Sequence, residues 1–95
     1  MKNKPIERDP NRKPTHPGEI LKENVLPELR ISQAALAKKL NVSRYTISKI
    51  LQAKASLNAE ISVALEAHVG STAEQWMRMQ IAHDLWVARR SAKLY

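Results

Sequence analysis

No cysteine occurs among the 95 residues, which excludes a disulfide framework and any thiolate-ligated metal site. Glycine is almost as scarce. The two present, Gly18 and Gly70, are too few for a glycine-rich loop that cradles a phosphate. No apolar run approaches the roughly 18 residues of a membrane-spanning helix. The charged, proline-bearing start does not read as a signal peptide. The expectation is a single soluble, cytoplasmic domain with no membrane association. The three histidines, His16, His68 and His83, lack metal-ligand spacing to one another or to carboxylates. His83 and Asp84 are neighbours and therefore point to different faces of a helix. No catalytic residue, metal or cofactor is expected, and the chain does not read as an enzyme.

The most informative absence is local. Between Arg30 and Ser56 there is no Asp or Glu, while six basic residues stand there: Arg30, Lys38, Lys39, Arg44, Lys49 and Lys54. Against a net charge of +7 and a pI of about 10.1, this window carries nearly the whole excess. A merely soluble surface mixes both signs, so the segregation points to a polyanionic partner. No basic amphipathic helix with exposed aromatics accompanies it, which disfavours a membrane surface.

Along the chain, residues 1–15 hold three prolines and few apolar side chains, and are expected to form a mobile arm. Residues 16–95 are expected to form the folded part. Pro17 and Glu19 suit a helix start, Ile20, Leu21 and Val25 supply its apolar stripe, and Pro27 is expected to stop it. Ser32 caps a second helix over residues 33–40, and Ser43 a third from Arg44 to about Gln52, with Asn41-Val42 as the break. Asn58 caps a fourth helix, closed by Gly70. Ser71 and Glu74 read as the capping box of a fifth, running to about Arg90. With no strand signal, the class is all-α with five helices.

The second and third helices form a helix-turn-helix, SQAALAKKLNVSRYTISKIL. Two short helices crossing steeply need a small residue at closest approach, and Ala37 supplies it. Arg44, Tyr45, Ser48 and Lys49 remain outward on the third helix as i,i+4 pairs, with Gln52 a turn later. In such a motif the start of the second helix meets base edges in the major groove. Arg44 suits a bidentate contact to guanine, and Ser48 or Lys49 further base or phosphate contacts. Gln33, Ser43 and Thr46 lie at helix starts, where phosphates are bound. Lys38 and Lys54 add charge beside them. Tyr45 suits a thymine methyl or a phosphate equally. A solvated basic face in a domain that binds no nucleic acid is the competing reading.

On the last helix, a wheel at about 100° per residue separates two apolar faces. Met77, Ile81, Leu85 and Ala88 share one arc; Trp76, Met79, Trp86 and Val87 share the other, together with His83. One covers the core. The second, with Trp76, Met79, His83 and Trp86, is expected to form a homodimer interface. The alternative is that both tryptophans fold back on the first and fourth helices.

The run His16-Pro17-Gly18-Glu19-Ile20-Leu21, the segments Ser32–Ala37 and Val42–Ser48, and Trp76 with Gln80 and Asp84-Leu85 together resemble the HigA family of antidote proteins over about residues 16–88. These are helix-turn-helix antitoxins of bacterial toxin–antitoxin modules. The resemblance implies a five-helix, lambda-repressor-like domain. It also implies a homodimer that represses its own operon at an inverted repeat of double-stranded operator DNA, and a complex with a cognate HigB-type, mRNA-cleaving toxin. It places base and phosphate contacts at Gln33, Ser43, Arg44, Tyr45, Thr46, Ser48 and Lys49. The chain departs from the family pattern at Arg30, Asn41 and Gln52-Ala53-Lys54, where glycine is common. The acidic residues Glu19, Glu23, Glu28, Glu60 and Glu66, outside the reading unit, suit a basic toxin better than the cationic arm does. A stand-alone transcriptional repressor and a partner-neutralising module that reads no DNA are the alternative functions.

Overall fold

A computed structural model describes residues 12–92, and among these every regular element is helical. In chain order they are α1 (Pro17–Ile20), a π-helical turn (Leu21–Val25), α2 (Leu26–Leu29), α3 (Gln33–Leu40), α4 (Arg44–Leu51), α5 (Ala59–His68) and α6 (Ala73–Ala92). The first three follow one another without a break, so five helical rods make up the fold. Most of the expected arm lies outside the described residues. Of its last four, Pro14 is buried.

The HPGE start is a fitted joint. His16 is extended, and its Nδ1 accepts the Gly18 N–H at 2.8 Å. Pro17 occupies the first turn, where its missing N–H costs nothing. Gly18 presses against α4: a Cβ there would overlap the Ile50 carbonyl. Only glycine permits that approach.

Pro27 does not stop the first helix, contrary to the sequence expectation. A proline ring strikes the carbonyl four residues back in a regular helix. Here the Leu26 N–H bonds Leu21 O, five residues back, and this wider turn admits Pro27 without ending the rod. The rod ends at Arg30, in the left-handed conformation at φ 56°.

Ser32 and Ser43 cap α3 and α4, each side-chain oxygen accepting a backbone N–H at 3.0 Å, from Ala35 and Thr46 respectively. Between the two helices Asn41 takes φ 58°, and Val42 N–H returns to Ala37 O at 3.0 Å. Ala37 is buried where the helices cross, with Leu36, Ile47 and Ile50 wholly buried beside it. Leu21 from the first rod and Leu65 from α5 complete the centre of the core.

Asn58 caps α5 by accepting the Ile61 N–H at 2.8 Å. At α6 the cap is Thr72, which accepts the Gln75 N–H at 3.0 Å; the expected Ser71–Glu74 box is thus displaced by one residue. Ser71 sits at φ 62°, whereas a capping residue needs extended backbone.

Helix α6 turns the tryptophan face inward. Trp76 is 3% exposed, with its indole N–H on Gly70 O at 3.0 Å. His83 is also buried, edge-on to His16 with ring centroids 4.8 Å apart. Met79 and Trp86 are half-buried. Of the expected interface residues, Trp76 and His83 thus lie inside the fold of this chain, while Met79 and Trp86 keep part of their surface outside. A small core needs its aromatics, and the first rod and α5 take Trp76 and His83. The apolar side chains left outside on α6 include Ile81 and Leu85, 51% and 44% exposed.

Candidate nucleic-acid interface

Helix α4 buries Ile47, Ile50 and Leu51 and leaves the other side free. Arg44 and Tyr45 are exposed, Tyr45 by 71%. Ser48 and Lys49 follow one turn later, half-exposed. This face is internally ordered. Lys49 Nζ lies 5.4 Å from the Tyr45 ring centroid, a cation–π pair. Gln52 Nε2 donates to Ser48 Oγ at 2.9 Å, so the Ser48 hydroxyl keeps its own proton to give to an outside acceptor.

At the start of the helix Ser43 Oγ both caps Thr46 N and donates to Thr46 Oγ1 at 2.9 Å. Two of the anticipated phosphate contacts therefore also hold the helix start in shape. Gln33, at the start of α3, Lys38 on the same helix, and Lys54, beyond α4, are exposed. The nine residues anticipated at the interface thus lie on α3, α4 and the turn after α4, and none is buried. Gln52 is the useful residue missing from that set. Its i,i+4 spacing to Ser48 is the signal that finds it.

The turn after α4 is fixed on two sides. Ala53 adopts φ 62°, which lets Lys54 N–H reach Lys49 O at 2.8 Å. Behind it stands a buried polar joint. His16 uses Nδ1 as an acceptor, which leaves the proton of the neutral ring on Nε2, 3.3 Å from Gln80 Nε2. Gln80 on α6 accepts the Leu57 N–H at 2.8 Å and donates to Asp84 at 2.9 Å. Burial, and then the neighbouring His83, push the His16 pKa below the ordinary histidine value, while Asp84, the Ala55 carbonyl and Glu19 oppose them. The neutral imidazole is the form the joint is built for.

His83 Nδ1 is 3.5 Å from Asp84 Oδ1 but is not aligned for a hydrogen bond. Among the described residues no group of His, Asp and Glu is placed to hold a metal ion, and no helix is long and apolar enough to cross a membrane.

Residues 21–76, more than half of the chain, match the helix-turn-helix family model. The chain is 37% identical over 82 residues to antitoxin HigA-1 of Vibrio cholerae, covering 86% of this chain and 77% of that protein. The chain belongs to the HigA-type helix-turn-helix antitoxins. Solved antitoxin structures superpose closely. Antitoxin GraA matches with TM-score 0.80 and 35% identity over 86% of this chain and 88% of its own. The Pseudomonas aeruginosa antitoxin HigA, solved with the higBA promoter, matches with TM-score 0.79 and 35% identity over 84% and 87%. Arg30, Asn41 and Ala53, where the resemblance leads one to expect glycine at or beside the position, all adopt left-handed backbone.

Proposed function

We propose that this chain represses its own transcription unit by binding an inverted-repeat operator as a two-fold dimer, and that it holds a HigB-type mRNA-cleaving toxin inactive. The observation that carries the DNA half is the acid-free cationic window gathered on α3, α4 and the following turn, with Arg44 and Tyr45 projecting from the start of α4. That the similar P. aeruginosa HigA was solved with the higBA promoter supports operator binding by this chain. Arg44 and Ser48 read bases, with Tyr45 and Lys49 as a preformed pair beside them. Gln33, Ser43, Thr46, Lys38 and Lys54 set the register on phosphates.

The dimer face is the outward stripe of α6 with Ile81, Leu85 and Ala88, left exposed once Trp76 has turned inward. The toxin meets the exposed acidic residues of the first rod, Glu19, Glu23 and Glu28. Residues 1–15 act as an arm and residues 16–95 as the folded DNA-binding and dimerisation domain. The protein works in the cytoplasm, without catalysis of its own.

The test is co-expression with the adjacent reading frame, followed by copurification and a gel shift on the upstream promoter. A small ribonuclease that copurifies, together with a specific promoter shift, is the expected result. A promoter shift without a copurifying partner leaves a stand-alone repressor and overturns the antitoxin half. Copurification without a shift overturns the DNA half.

A further inference from the structure

The turn after the helix-turn-helix carries Lys54, yet its own side chains do little to fix it. Between the buried Leu51 and Leu57 stand Gln52, Ala53, Lys54, Ala55 and Ser56, none of them buried. Two alanines and three polar residues pack too little apolar surface to hold one geometry. The near end of the turn is closed by backbone bonds, Ala53 N–H to Ile50 O at 2.9 Å and Lys54 N–H to Lys49 O at 2.8 Å. The far end is held from α6.

Gln80 is only 2% exposed. Its Oε1 accepts the Leu57 N–H at 2.8 Å, and its Nε2 donates to Asp84 Oδ1 at 2.9 Å. An acceptor end facing a donor and a donor end facing a carboxylate leave the amide one way round. The other Asp84 oxygen lies 3.5 Å from Ser56 Oγ. Ser56 and Leu57 are thus tied to two residues one helical turn apart on α6. The clamped N–H lies three positions beyond the exposed Lys54, with only Ala55 and Ser56 between them. A shift of that peptide therefore passes to the lysine with no bulky side chain to absorb it.

We infer that Gln80 is a positioning residue for operator binding: through the Leu57 N–H it holds the turn so that Lys54 meets a backbone phosphate, and Asp84 orients its amide. The assignment rests on the operator reading of Lys54. Base reading by α4, which Ile47 and Ile50 anchor from inside, does not depend on it.

Binding of the upstream inverted repeat and of a scrambled duplex is measured by anisotropy over a salt series, well below the melting temperature, with helical circular dichroism recorded for each variant. Lys54→Ala should weaken both duplexes about five-fold and lower the slope of log affinity against log salt by about one. Gln80→Leu should weaken both several-fold and lower the same slope, with the operator-to-scrambled ratio kept. Combined in one chain, the two substitutions should cost no more than about two-fold beyond Lys54→Ala alone, because without the lysine Gln80 has nothing left to position.

Asp84 supplies variants that spare the core. Asp84→Ala and Asp84→Asn lose the same charge, but only asparagine keeps an acceptor for Gln80. The alanine variant should bind several-fold more weakly than the asparagine one. If Gln80→Leu does not fold, this pair decides. A Gln80→Leu protein that melts earlier but binds like the parent overturns the inference and leaves the operator reading standing. So does a loss that adds in full to that of Lys54→Ala, or equal binding by the two Asp84 variants. A parent chain that ignores the inverted repeat, or a Lys54→Ala protein that binds like the parent, overturns the operator reading of this turn and the inference with it.

Discussion

Gly18 is the residue on which the placement of α4 most depends, because a methyl group there meets the Ile50 carbonyl rather than a yielding side chain. Gly18→Ala should cost roughly 2 kcal/mol or more, since neither backbone can shift alone; urea unfolding measures it. His16, two residues earlier, makes stability depend on pH. Its folded-state pKa is lowered, so below about 6.5 the unfolded chain binds the proton that the folded chain refuses. Stability from this group is full at neutral pH and is lost as pH falls from the ordinary histidine value through the depressed one. Unfolding curves at stepped pH should show this slope, and His16→Gln should flatten it. Ala53 holds φ 62° against a left-handed penalty of about 1–2 kcal/mol. Ala53→Gly should therefore raise stability by about 0.5–1 kcal/mol, after the entropy of the freer unfolded chain is counted. The glycine-poor loops are visible in the sequence. That the chain keeps the left-handed geometry there, rather than reshaping the loops, becomes visible only once the φ values are known.

At the level of elements, α3, α4 and α5 follow their sequence signals closely, because Ser32, Ser43 and Asn58 each hydrogen-bond to the N–H three residues on. The reading face on α4 is legible for the same reason: once the inward Ile47 and Ile50 are placed, helical spacing fixes the outward side chains. Pro27 and Thr72 carry no equally clear signal. A proline stops a regular helix, and nothing in the residue string announces the five-residue hydrogen bond that rescues it. Ser71 and Thr72 are both sound caps by type, and only the left-handed backbone at Ser71 decides between them. Lys38 on α3 is exposed and lies outside the base-reading face. Lys38→Ala should thus weaken every duplex alike and reduce the slope of log affinity against log salt by about one, as measured by anisotropy over a salt series.

In the whole molecule, charge and apolar surface are divided among separate faces. The helix-turn-helix gathers cations, the first rod exposes Glu19, Glu23 and Glu28, and α6 presents Ile81 and Leu85. The two apolar arcs of α6 can be read from periodicity, but which one turns inward depends on what the first rod and α5 offer. His16 and the Gly70 carbonyl offer partners to His83 and Trp76, and that settles it. If the remaining arc joins two copies, Ile81→Glu with Leu85→Glu should shift the protein to monomer in sedimentation while its helical circular dichroism is kept. A charge in a two-fold interface faces its own copy and is repelled.

The most direct test of DNA reading by α4 is competitive binding of the upstream inverted repeat against a scrambled duplex, for the parent and for Arg44→Ala. The parent should prefer the operator, and Arg44→Ala should lose about 1–3 kcal/mol of that preference while retaining the non-specific binding. Unchanged discrimination in Arg44→Ala would contradict the assignment of this face.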